Sequence, residues 1–205
     1  KNKLSLLLLF KEKILTPDQD IFSIITTQSY KKRNYPEYFH NEFKSFYTSQ
    51  PQSENEPFVP PKNYESKRLE GENDTLICSI IRKDDINHFI TIVNQSNIDL
   101  NSPISSSIYE TNSHLIKKTP TIVEYATFYG SIQIFQHLRL KGVILPSSLW
   151  MYSIHSNNAD LIHLLEENHV SPSDITYIDC YIEAIKCHHN GIATYIHECL
   201  LPENI

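Results

Sequence analysis

Residues 119–143 read TPTIVEYATFYGSIQIFQHLRLKGV, and this stretch decides how the rest of the chain is read. The chain has four glycines, and two of them, Gly130 and Gly142, stand here, each after a run with helical spacing. Ile122, Val123 and Ala126 share one helical face; Ile134, Phe135 and Leu138 share another. A residue without a Cβ takes the left-handed conformation that closes a helix at the least cost. The spacing therefore predicts two short antiparallel helices, closed by Gly130 and by Gly142, as one hairpin unit.

The same unit can be laid along the sequence after Gly71. With Ala126 as anchor, the equivalent positions are Ile80, Ser153 and Ala184, at separations of 46, 27 and 31 residues. Ile77, Trp150 and Tyr181 then stand where Val123 does. Phe89, Ile162 and Ala193 match Phe135, and Ile92, Leu165 and Ile196 match Leu138. The first separation is long because PISSSIYETNSHLIKK intervenes. In place of Gly130 the other copies carry Asp84, Asn157-Asn158 and His188-His189-Asn190. Asn and Asp tolerate the left-handed region better than most residues, so the exchange is physically reasonable.

The carrying residues are Thr119-Pro120, Tyr125-Ala126, Phe128 to Ile132, Ile134-Phe135, Leu138 and Gly142-Val143. They resemble the ankyrin pattern of Thr-Pro, paired Ala, Gly-His, Ile-Val, Leu-Leu and Gly-Ala. The copy departs from it in two ways: Thr127 replaces the second alanine, and Thr-Pro lies about two residues further from the first. Closer in flavour is a degenerate ankyrin-type family, described as a domain of unknown function and expanded in single-celled parasites. SIIRKDDINHFITIVNQSNIDLN, SSLWMYSIHSNNADLIHLLEEN and AIKCHHNGIATYIHE are similar to it over roughly residues 70–200. The resemblance implies an all-α, ankyrin-type helical-hairpin solenoid of about four repeats. It also implies a protein-interaction scaffold that uses no cofactor and catalyses no reaction.

The expected organisation is an N-terminal helical segment over 1–47, a linker over 48–70 and the repeat domain over 71–205. In the first segment Leu4, Leu7, Leu8 and Ile14 suggest one apolar face, Ile21, Ile24 and Ile25 a second, and Phe39, Phe43 and Phe46 a third. Asp18 or Asp20 is a candidate cap, and Pro36 suits a first helical turn. TSQPQSENEPFVPPKN, residues 48–63, holds four prolines without periodicity.

Composition removes several function classes. Of 205 residues 40% are apolar, enough for a cored domain, and the formal charge is −6. Residues 1–70 carry 11 Lys and Arg against 9 Asp and Glu, while residues 71–205 carry 7 against 15. Such an acidic surface repels phosphate backbones, so nucleic acid is not an expected partner. No run approaches the ~18 apolar residues of a membrane span, so no membrane partner is expected. Cys78, Cys180, Cys187 and Cys199 lack the density of a secreted disulfide scaffold and fit a reducing, cytoplasmic setting. Because the chain opens on Lys and not Met, it is read as a candidate fragment.

Chemistry has few places to reside. Four dispersed glycines cannot build a phosphate loop. Cys180, Cys187, His188, His189, His197 and Cys199 have zinc-type donor chemistry, and a metal-binding regulator or metal-dependent enzyme is the alternative reading. Their spacing lacks a CxxC pair or an HExxH, however, and small buried cysteines are common in helical cores. Trp150, as a counterpart of Val123, belongs to the core. Protein contact is expected at exposed first-helix positions and loops, at Tyr109, Phe128, His155 and Lys186.

Overall fold

A computed structural model of the chain describes residues 2–48, 58–173 and 176–201. Among these the protein is all-α, with one isolated bridge between Pro103 and Thr121. The helices run α1 (Lys3–Lys11), α2 (Gln19–Ile25), α3 (Gln28–Lys31), α4 (Tyr35–Tyr38), α5 (Lys44–Thr48), α6 (Tyr64–Glu70), α7 (Leu76–Arg82) and α8 (Ile86–Ser96). They continue as α9 (Ser113–Lys118), α10 (Ile122–Tyr129), α11 (Ile132–Leu140), α12 (Leu149–Ser156), α13 (Ala159–Glu167), α14 (Ile178–Lys186) and α15 (Asn190–Tyr195). The last runs into a π-turn at Ile196–Leu200. The chain divides into two compact units: Lys1–Thr75 with Ser105–Thr119, and Leu76–Ile104 with Pro120–Ile205.

The first unit packs short helices around aromatic rings. Phe10 meets Phe39 and Phe43 edge-on, each with centroids 5.8 Å apart, and Phe22 lies on Phe43 and Phe46. Asp18 caps α2 by accepting the Ile21 amide, and Pro36 sits in the first turn of α4. The buried side of α1 is Lys3, Leu7 and Phe10, at i, i+4 and i+7. Leu8 and Ile14 face outward, and Phe22 takes the inward place expected for Ile24. Phe39, Phe43 and Phe46 converge from a helix end, a turn and α5, not from one helix. Ring shape, more than periodicity, chose these positions.

Two expected boundaries move. Residues 49–57 of the expected linker lie outside the described residues, but Tyr64–Glu70 is a helix whose Tyr64 and Arg68 are buried. The Arg68 guanidinium donates to the Tyr38 carbonyl (2.8 Å), Glu42 (2.6 Å) and Glu65 (2.7 Å), and lies 4.7 Å over the Tyr64 ring. Residues 105–119, which include most of the stretch 103–118 read from the sequence as intervening between the first two copies, belong to this unit. The Lys3 amine donates to the Ile108 carbonyl, Asn73 to that of Ser105, and the Thr111 amide and hydroxyl both donate to Gly71. Hydrogen bonds spanning 32 to 105 residues of sequence were invisible to a search for local periodicity.

The second unit is four helix pairs: α7 with α8, α10 with α11, α12 with α13, and α14 with α15. Consecutive first helices pack side by side, α7 on α10, α10 on α12 and α12 on α14. Asp84, Gly130, Asn157 and His188 all have positive φ, at 49°, 73°, 52° and 59°. Ile80, Ala126 and Ala184 each accept a hydrogen bond from the amide five residues on. In the third pair Asn158 instead donates its amide to the Ser156 hydroxyl. The second helices of the first three pairs close in the same way, on the carbonyls of Val93, Leu138 and Leu165, whereas in the fourth the bond from Leu201 to the Ile196 carbonyl belongs to the π-turn. Val93, not the expected Ile92, is thus the counterpart of Leu138, because α8 has 11 residues against 9 in α11.

Neighbouring pairs are joined by a recurring polar bond. The Ser131 hydroxyl donates to the Ile81 carbonyl (2.6 Å), and His189 Nδ1 donates to that of Ile154 (2.7 Å). Both join the residue five after an anchor to the residue one after the preceding anchor. Ser131 is thereby withdrawn from capping α11, and the Asp84 carboxylate takes the Gln133 and Ile134 amides instead, each at 3.0 Å. Trp150 is fully buried and donates to the Val170 carbonyl. The N-terminus of α10 is closed by a reciprocal bond pair between Thr121 and Glu124.

Candidate interaction face

Side-by-side first helices bring the residues two beyond each anchor into one row: Arg82, Phe128, His155 and Lys186. Position, not chance proximity, makes the row. Of the residues one before the anchors, Tyr125, Tyr152 and Glu183 are buried and Ser79 is half-buried. Those two after lie at the edge of the helix packing, so Arg82, Phe128 and His155 are half-buried and Lys186 is exposed.

Contacts run along the row without a break. The Arg82 guanidinium donates to the Tyr125 hydroxyl (2.8 Å) and lies 5.8 Å from the Tyr129 ring centre. Tyr129 meets Phe128 edge-on at 5.1 Å, and Phe128 meets the His155 ring at 5.3 Å with 31° between planes. His155 Nε2 lies 3.3 Å from Glu183, whose other oxygen is 3.4 Å from the Lys186 amine. Burial pushes the Tyr125 hydroxyl far above its ordinary range, which keeps it neutral beside Arg82.

One segment of this row has the outline of a nucleophile, a base and an orienting acid. Cys187 Sγ lies 3.5 Å from His155 Nδ1, and the opposite ring nitrogen faces Glu183. An activated thiol needs its pKa held down. Here burial pushes the Cys187 thiol up and the Glu183 charge adds to that, with Lys186 partly opposing. Burial and the Glu183 charge thus favour the neutral form of this thiol.

The expected contact residues divide. Phe128, His155 and Lys186 are brought together, on three successive first helices. Tyr109 is a correction: it belongs to the first unit, is 3% exposed, and packs against the Tyr64 ring and the Lys67 amine. Its place in a serine-rich stretch suggested a surface loop, but Ser107, Glu110 and Thr111 beside it are buried too. Arg82, Tyr129 and Glu183 were missed. Two residues past Ile80 was the available signal for Arg82; Glu183 and Tyr129 had none, since their roles depend on neighbouring helices.

The Cys and His residues near the C-terminus do not converge. Cys180 is buried, Cys187 turns to His155, and His189 bonds the Ile154 carbonyl. His188 is an exposed turn residue, His197 leans on the Tyr181 ring, and Cys199 is exposed. No described helix is long and apolar enough to cross a membrane. No family model, curated protein or solved structure matches the chain.

Proposed function

We propose that this chain is a non-catalytic protein-interaction scaffold built as an ankyrin-type helical-hairpin solenoid of four degenerate repeats. A pair of short helices cannot bury both its faces, so neighbours supply the core and the edges of the first helices remain available to a partner. The observation that carries the reading is the continuous row from Arg82 through Tyr129, Phe128 and His155 to Lys186. Aromatic and Arg side chains pre-ordered by their neighbours are the type that dominates binding energy at protein interfaces. The partner is a protein segment that meets an aromatic centre flanked by Arg82 on one side and Lys186 on the other. Neither cofactor nor nucleic acid has a part in it, and the action is cytoplasmic.

Immobilised chain and its Phe128→Ala and Lys186→Glu variants, challenged with the same cell extract, test this. A protein retained by the wild type is expected to be lost from both variants and kept by an Ile144→Ser control, whose site is exposed and outside the row. Equal retention by all four proteins would overturn the reading.

A further inference from the structure

Of the four glycines in the chain, only Gly191 follows an asparagine. Asn190 and Gly191 open α15, just after the turn that leads out of α14. The first amides of a helix have no carbonyl one turn back to bond. Among the described residues, no hydrogen bond holds the Asn190 carboxamide or the Gly191 amide. Asn101, Asn112 and Asn158 differ: their side-chain oxygens accept the amides of Ile144, His114 and Asp160. Each of those three is also followed by a residue with a side chain.

Asn190 and Gly191 are both exposed, and the register shows that this does not depend on where the chain ends. The same two places in the earlier pairs are Ile86 and Asn87, Ile132 and Gln133, and Ala159 and Asp160. None of these six is buried, and Asn87, Gln133 and Asp160 are exposed, although another pair follows in every case. Water therefore reaches this turn whatever stacks beyond it.

We infer that Asn190 is a site of spontaneous deamidation, a modification that needs only water. The Gly191 backbone nitrogen gives up its proton to hydroxide and attacks Asn190 Cγ. A bond forms between that nitrogen and Cγ, the bond from Cγ to the side-chain nitrogen breaks, and ammonia leaves. Water then opens the cyclic imide. Opening at Cγ leaves aspartate; opening at the main-chain carbonyl leaves isoaspartate, with the backbone rerouted through the side chain. The attack requires the peptide to leave its helical angles, which costs least in a fraying first turn and at a residue without a Cβ. Either product puts a carboxylate directly after His189, whose Nδ1 donates to the Ile154 carbonyl across the last junction. Isoaspartate also lengthens the backbone there, which loosens the start of α15.

The test ages the purified full chain in neutral buffer and follows each asparagine by peptide mass spectrometry, with chromatography that separates aspartyl from isoaspartyl forms. Asn190 is expected to convert about tenfold or more faster than Asn101, Asn112 or Asn158, with isoaspartate the larger product. Gly191→Ala should slow the conversion by about tenfold or more. That variant keeps its helical circular dichroism, because a Cβ added at Gly191 meets nothing within 4 Å. Amide exchange through Asn190–Tyr195 should quicken in step with conversion. An Asn190 that lasts as long as the other three overturns the inference. So does a Gly191→Ala variant that converts at the wild-type rate, or exchange that stays constant while Asn190 converts. The reaction is read without a partner, so its failure leaves the partner-retention experiment intact.

Discussion

The two units solve the same problem of covering short helices by different means. In the first unit, cohesion comes from a few large or charged side chains: the Phe10–Phe39–Phe43 cluster, and Arg68 with Glu42, Glu65 and the Tyr38 carbonyl. In the second, cohesion is distributed over near-identical junctions, with small anchors such as Ala126 and Ala184 and a recurring side chain-to-carbonyl bond. A unit of the first kind is vulnerable at single residues. A unit of the second kind loses a junction at a time, and its register can be read from sequence.

The largest expected effect separates the two designs at their cores. Arg68→Ala strands the Glu42 and Tyr38 acceptors, and breaking a buried charge network costs about 3–5 kcal/mol. Urea unfolding followed by circular dichroism should show that loss. In the second unit, Ala126→Glu puts a long acid at a fully buried anchor; overpacking alone costs ~1–3 kcal/mol, and an unpaired buried carboxylate adds to it. Trp150, the chain's single tryptophan, sits in that unit and should report the lowered midpoint by fluorescence.

A pH effect of intermediate size belongs to the first unit. Burial holds the Lys3 amine down to about 7 against an ordinary value of 10.5, with Glu110 and Glu37 partly offsetting this. Between those two values the unfolded chain carries more protons, so stability from this group rises with pH from about 7 to 10.5. Below about 7 the penalty is complete. Lys3→Met removes the slope and should raise stability at pH 6.5 by ~1–3 kcal/mol, after the lost hydrogen bond and ring contacts are counted. Glu110, which faces Lys3, is pushed up by burial. Its folded form keeps a proton above 4.5, so its share of stability falls as pH rises there.

The smallest effect sharpens the contrast at two glycines of similar φ, 70° at Gly71 and 73° at Gly130. At Gly130 an added Cβ meets nothing nearer than 3.6 Å, so Gly130→Ala costs only the left-handed strain of about 1 kcal/mol. At Gly71 the same atom lies 2.9 Å from the Thr111 hydroxyl, which is held by its bond to the Gly71 carbonyl. Gly71→Ala should therefore be the more damaging, by a clear margin in thermal melts.

Legibility followed the same division. Asp84, Asn157 and His188 could be named as turn residues because a turn between packed helices demands one left-handed residue, and the demand repeats with the register. The same register puts Phe128, His155 and Lys186 on successive first helices, two residues past their anchors, as it does Arg82. Tyr109 was misjudged and residues 105–119 misassigned because their places are set by Gly71, Asn73 and Lys3, far away in sequence. Leu8 and Ile24 were misplaced because four-to-nine-residue helices give too few turns to fix which side faces rings arriving from elsewhere.

The row of first-helix side chains rests on α10 and α12 lying in register, and a proton NOE spectrum of the labelled chain reads that directly. Cross-peaks between the ring protons of Phe128 and His155 are the predicted result, given centroids 5.3 Å apart. Absence of those cross-peaks in a folded sample, with Phe128 instead contacting α11 or α13, would contradict the account.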